Sequence, residues 1–167
     1  MSGRVEAIWT KRAKRGPMDS ARRVTLIADK GIEGDANFGR TKRQVTVIER
    51  EVFERVRAHL PEADPSMRRA NIMLSGLPLE GARDQVLTLG EVRIRLIGET
   101  RPCERMEEQC AGLTTALDPH WGGGAYGVVL DDGEISVGDP ATLAAPDLDS
   151  EQEHDPVEPP RGGVGRA

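Results

Sequence analysis

The residues with the greatest chemical potential in this chain form one run, Glu99-Thr100-Arg101-Pro102-Cys103-Glu104-Arg105-Met106. It falls where a strand pattern, Val92–Ile97, gives way to a helical pattern over Glu104–Leu117. A cysteine at a helix N-terminus faces the positive end of the peptide dipoles, and Arg101 and Arg105 add positive charge; Glu104 opposes them. The balance favours the thiolate, which is both a nucleophile and a soft metal ligand, so Cys103 is the candidate catalytic residue and metal ligand. A lone cysteine can equally be a small buried hydrophobe, and the local residues leave both readings open. Cys110 is the only other cysteine and shares an apolar side with Met106, Leu113 and Leu117, which predicts a core role. On one helix, seven residues would separate it from Cys103 by about 10 Å, too far for a disulfide, and the spacing matches no common zinc pattern.

A second chemistry is anion binding. Arginine supplies most of the 23 basic residues, and its planar fork suits phosphate. Arg43-Gln44 and Arg68-Arg69-Ala70-Asn71 stand at the starts of predicted strands, where side chains have rigid support beside loops. The run Lys11-Arg12-Ala13-Lys14-Arg15 reads as a solvated loop, because aromatic residues are only 3% of the chain and a nucleic-acid surface would need more. Gly122-Gly123-Gly124-Ala125-Tyr126-Gly127 has the spacing of a dinucleotide-binding loop but lacks the strand before it and the helix after it. Its glycines are expected to permit a close backbone approach. The histidines, His59, His120 and His154, form no metal or triad pattern.

The elements that must position these groups are mostly strands. Short β-branched runs occur at Val5–Trp9, Val24–Ile27, Gln44–Ile48, Asn71–Leu74, Val86–Leu89, Val92–Ile97, Tyr126–Leu130, Glu134–Val137 and Ala141–Leu143. Gly90-Glu91 and Asp131-Asp132-Gly133 read as hairpin turns, which predicts antiparallel neighbours. Helical spacing appears twice, in Glu49–Leu60 before Pro61 and in Glu104–Leu117. The expected fold class is mainly β (α+β), a β-barrel-like domain with a few short helices.

The chain has 167 residues, enough for one domain of ordinary size. The net charge is −5, and Pro146–Ala167 carries six of the acids against Arg161 and Arg166. With its prolines and glycines, that stretch is expected to be a disordered acidic tail on a domain spanning residues 1–145. No apolar run approaches membrane-spanning length and no signal-peptide pattern opens the sequence, so a cytoplasmic protein without membrane or nucleic-acid partners is expected.

In order along the chain, Gly3-Arg4-Val5, Gly31-x-x-Gly34-Asp35, Arg43-Gln44-Val45, Arg69-x-Asn71, Gly76-x-x-Leu79, Pro102-Cys103, Gly127 with Leu130, and Gly138-Asp139 resemble the MOSC family, named after the C-terminal domain of molybdenum cofactor sulfurase. The resemblance spans about residues 3 to 143 and implies a β-rich, barrel-like domain. It implies that Cys103 matches the family's cysteine, which carries persulfide sulfur in some relatives and ligates molybdenum in those that reduce N-hydroxylated compounds. It further implies the molybdenum cofactor (molybdopterin), with Arg43, Gln44, Arg69, Asn71 and Arg101 around its phosphate and polar groups. No pyridoxal phosphate site is found, so sulfur would come from a separate desulfurase. A reductase would need an electron-donor protein, since there is no ferredoxin-like cysteine cluster. Sulfur transfer, molybdenum-dependent reduction and a non-catalytic accessory module are the three functions this leaves.

Overall fold

The computed structural model describes residues 2–101 and 110–146; the cysteine Cys103, the first part of the second predicted helix and nearly all of the acidic stretch lie outside the described residues. Strand β1 (Ser2–Thr10) opens the chain, followed by β2 (Asp19–Ala21), β3 (Arg23–Ile27), β4 (Gly31–Ile32) and β5 (Val45–Glu49). Helix α1 (Arg50–Arg57) and a 3₁₀ turn (Pro65–Arg68) lead to β6 (Ile72–Ser75), β7 (Val86–Leu89) and β8 (Val92–Glu99). Then come α2 (Leu113–Leu117), β9 (Ala125–Val129), β10 (Gly133–Ser136) and β11 (Pro140–Ala144).

Seven strands close into a barrel in the order β1-β11-β7-β8-β9-β5-β6, and β6 returns to β1. Closure leaves no edge in this ring. β2 extends the sheet from β1, while β10, β3 and β4 form a separate small sheet. Alternation sets what faces inward. In β8, Val92, Ile94 and Leu96 are buried while Arg93 and Arg95 are exposed, the period-2 signature of a half-buried strand. The barrel interior is filled by Val5, Leu74, Leu87, Leu89, Ile94 and their neighbours.

A second apolar cluster lies outside the barrel wall, where α1 presents Val52, Phe53 and Val56 to Ile48, Ala70, Cys110, Leu113 and Leu117. Cys110 is thus a core residue. It does not sit on a helix, however, for α2 begins only at Leu113, after Gly112 takes a φ of 88° that an α-helix cannot contain. The predicted helix over Glu104–Leu117 is therefore corrected to Leu113–Leu117 among the described residues.

Two strand-pairing expectations are also corrected. The turn Asp131-Asp132-Gly133 is not a hairpin, because β10 pairs with β3 rather than with β9. Nor are all neighbours antiparallel: β5 and β6 run parallel, as α1 supplies the crossover between them. That parallel pair brings the N-terminal ends of β5 and β6 side by side, which positions the residues described next.

Candidate functional site

Gln44 precedes β5 and Asn71 precedes β6, so the parallel pairing sets the two motif amides at one end of the same strand pair. Asn71 is fully buried, and its amide is completely used. Its Oδ1 accepts from Thr46 N at 3.1 Å and from Thr46 Oγ1 at 3.3 Å. Its Nδ2 donates to Trp9 O at 3.2 Å and to Asp35 Oδ1 at 3.1 Å. Two donors and two lone pairs are all an asparagine amide has. Asn71 therefore joins β1, β5 and the Asp35 loop. Gln44, also fully buried, donates from Nε2 to Arg40 O at 2.8 Å and accepts the Val129 N–H at 3.0 Å. Both amides are positioning groups in this arrangement.

Asp35 is the second hub. Its side chain is 0% exposed and accepts from Lys11 N and Asn37 N, both at 3.0 Å, as well as from Asn71. The Lys11 ammonium lies 3.9 Å away, with its side chain only 10% exposed. Burial pushes the Lys11 pKa below the ordinary lysine value; Asp35 pulls it back up, and Arg69, Arg40 and Arg68 push it further down. Lys11 thus pairs with one buried carboxylate while three arginines add positive charge within electrostatic reach of it.

The arginines reach this place by different routes. Arg69 adopts a left-handed φ of 63°, and its Nη2 donates to Gly16 O at 2.7 Å and Lys14 O at 3.2 Å, bracing the loop after β1. A non-glycine residue in this region costs about 1–2 kcal/mol, which those bonds help to offset. Arg68, buried, donates from Nε to Gly123 O at 2.7 Å and from Nη2 to Thr100 O at 3.3 Å. It therefore links the basic cluster to the strand end that runs into Arg101. The Thr100 hydroxyl is buried there without a hydrogen-bond partner among the described groups. Arg101, exposed, is the last described residue before Cys103, whose own place is outside the described residues.

Arg43 stands apart from the cluster. Its guanidinium lies over the Tyr126 ring, 4.9 Å from the centroid. Tyr126 in turn faces Thr46 and Gly98 across the neighbouring strands. The glycine run before β9 does permit close backbone approach: Gly124 has a φ of 94°, and a Cβ there would overlap the Val47 carbonyl oxygen. His120 meets Glu80, with 3.1 Å from Nδ1 to the carboxylate, and lines a shallow apolar cleft with His59, away from the basic cluster.

Sequence reasoning selected Arg43, Arg68, Arg69, Arg101 and the two amides but did not single out Lys11, Asp35 as its partner, or Arg40. Lys11 was hidden in a charge run that reads as a solvated loop. Only its neighbour Asp35, in the Gly34-Asp35 motif, carried a signal. Among the described residues no group of histidine, cysteine and acidic side chains has the arrangement of a metal site, and no helix is long and apolar enough to cross a membrane.

Comparison with known proteins places this architecture. The chain is similar to the crystal structure of the YuaD protein from Bacillus subtilis, with a TM-score of 0.75 and 18% identity over 88% of this chain and 98% of that one. It is similar to YiiM from Geobacillus stearothermophilus, with a TM-score of 0.67 and 16% identity over 85% of this chain and 75% of that one. YiiM from Escherichia coli gives a TM-score of 0.63 and 17% identity over 86% and 70% of the two chains. At such identities the likeness shows the fold. No curated protein sequence matches. The model of the MOSC domain matches residues 34–142, a span running from the Gly34-Asp35 loop to the closing strand of the barrel. The chain belongs to the MOSC domain family.

Proposed function

We propose that this MOSC domain binds the molybdenum cofactor, holding its phosphate with the basic cluster and using Cys103 as metal ligand or as carrier of persulfide sulfur. The observation that carries the reading is the buried Lys11–Asp35 pair, 3.9 Å apart, with Arg69, Arg40 and Arg68 close enough to Lys11 to push its pKa down. A surplus of positive charge that is partly desolvated is stabilised by a bound phosphate dianion. The donor set therefore fits the cofactor's phosphate, and the Thr100 hydroxyl, buried without a partner among the described residues, would suit a polar ring.

When bound, the group would supply a redox-active metal on an organic arm. The chain's own residues do the rest. Lys11 and Arg40 neutralise the phosphate, while Asp35 and Asn71 lock the loop and strands that carry them. Arg68 fixes the carbonyl of Thr100 and with it the start of the segment bearing Cys103. Arg101 adds positive charge two positions before that thiol, favouring its deprotonated form. A thiolate serves ligation and sulfur transfer alike, so reduction of N-hydroxylated compounds and sulfur carriage share this site. The first needs an electron-donor protein and the second a desulfurase.

The test is cofactor content. Protein made in a host that synthesises molybdenum cofactor should retain molybdenum and pterin, read by elemental analysis and pterin fluorescence. Lys11→Met and Arg40→Ala should lower pterin content at least fivefold, with thiol reactivity unchanged. Cys103→Ser should alter the metal environment and abolish reduction of amidoximes. Persulfide on Cys103 without molybdenum would assign the protein as a sulfur carrier. Neither cofactor nor persulfide, from a host shown to make both, would overturn the proposal.

A further inference from the structure

The loops at one end of the barrel carry far more positive charge than the phosphate site needs. Segments 11–18 and 30–43 hold eight lysines and arginines against Glu33 and Asp35, and they include all four lysines of the chain, Lys11, Lys14, Lys30 and Lys42. The structure knits these segments into one face. Ala36 N donates to Lys11 O at 2.7 Å, and Gly39 N donates to Lys30 O at 2.8 Å. Arg69 ties the 11–18 loop to the start of β6 through Gly16 O. On this face Lys14, Arg15, Lys30, Arg40, Lys42 and Arg43 form no ion pair with a described carboxylate. Elsewhere on the surface Arg93, Arg95, Arg50 and Arg23 each have an acidic partner, while Arg22, Arg55 and Arg57 are scattered singly without one among the described residues.

The complementary charge is in the same chain. Residues 147–167 contain Asp147, Asp149, Glu151, Glu153, Asp155 and Glu158 against Arg161 and Arg166. The barrel register gives the distance to be bridged. Ala144 stands opposite Val86, Val86 opposite Arg95, and Arg95 opposite Val128, while Gln44 N donates to Gly127 O. The end of β11 is therefore level with Gln44, four strand spacings away, or about 19 Å along the wall at about 4.8 Å each. The 21 residues from Asp147 to Ala167 can span up to about 70 Å when extended.

We propose that the basic face formed by segments 11–18 and 30–43 is an interaction surface whose occupant is the acidic segment 147–167 of the same chain. A tether of this length holds the acids at an effective concentration on the order of millimolar, enough to populate a weak, salt-sensitive contact. The inference does not rest on the cofactor, and its test uses protein without added cofactor.

The test is zero-length carbodiimide coupling of the full chain, mapped by mass spectrometry, with a control lysine supplied by Arg57→Lys on α1. In about 20 mM salt, acids of 147–167 should couple to Lys14, Lys30 and Lys42 at least fivefold more than to the control lysine. Coupling should fall at least fivefold in 0.5 M NaCl, where the Debye length is about 4 Å. Replacing the six acids with their amides should abolish it. Equal coupling to the control lysine, no coupling, or insensitivity to salt would overturn the proposal. So would coupling chiefly between heavy and light chains in an isotope-mixed sample, since the occupant would then be a second copy.

Discussion

Asn71→Ala tests the hub on which the site is built. The substitution removes the donor to Trp9 O, the donor to the Asp35 carboxylate and the acceptor for Thr46 N, all inside a fully buried place. A neutral hydrogen bond contributes about 1 kcal/mol net and one to a charged group about 2 kcal/mol, while a buried orphaned N–H costs about 1–3 kcal/mol. Thr46 Oγ1 loses little, because it still accepts from Asn71 N at 3.1 Å. The sum is about 4 kcal/mol, or a fall of about 12 °C in Tm for a domain of this size. Urea titration followed by tryptophan fluorescence, supported by calorimetry, measures it. The companion Asn71→Asp keeps the shape but sets a second carboxylate against Asp35. Its folded-state pKa should rise above the unfolded value through burial and like charge. The folded state then binds more protons in that window, and stability falls as pH rises through it. Asn71→Asp should thus recover stability on going from pH 7 to pH 5, while Asn71→Ala should not. A loss below about 1 kcal/mol for Asn71→Ala, or a flat pH response for Asn71→Asp, would refute the reasoning, because water would then satisfy the groups the amide is said to hold.

Glu49 accepts the Leu79 N–H at 3.1 Å, and desolvation raises its pKa against that bond. The folded state binds the extra proton above 4.5, so stability contributed there is lost as pH rises through the raised pKa; Glu49→Gln keeps an acceptor and should hold or raise Tm at pH 7 while flattening its dependence between pH 5 and 7. Asp131 is held below its ordinary 3.8 by hydrogen bonds from the Arg93 side chain, with Nε and Nη2 each at 2.9 Å. Its stabilisation is present above 3.8 and lost as pH falls through the lower folded value; Asp131→Asn should cost at most about 1 kcal/mol near neutrality, given the pair's exposure, and the difference in Tm should vanish in strong acid. Alkylation of Cys103 followed against pH should give a pKa below the free-thiol value of about 8.5, and Cys110→Ser should leave the fast-reacting site intact; titration at the ordinary value would count against an activated thiol.

The barrel strands were legible because β-branched alternation marks each of them. β2 and β4 were not, since Asp19-Ser20-Ala21 and Gly31-Ile32 are too short to show a period and become strands only by pairing with β1 and β3. The helical spacing of Val52, Phe53 and Val56 predicted α1 correctly, yet the same logic ran the second helix through Gly112, whose left-handed φ holds its start back to Leu113. At the site, motif positions were visible and their roles were not. Asn71 and Gln44 look like ligand-binding amides in one dimension, but the fold gives them protein partners. Lys11 is buried only because the loop from Gly34 to Arg43 folds over it, a long-range event that its own neighbours in sequence do not encode.

Closure of the barrel sets a timetable for synthesis. The ring is complete only when β11 inserts between β1 and β7, and about 130 residues separate Thr10 from Pro140. At about 5–20 residues per second, the ribosome takes roughly 7–26 s to cover that interval. β1 would offer a bare edge throughout it, and β7 over roughly its last 50 residues, each able to pair with another nascent chain. Slowing elongation just before Pro140 should therefore lower soluble yield, whereas the same delay after Ala144 should have no effect.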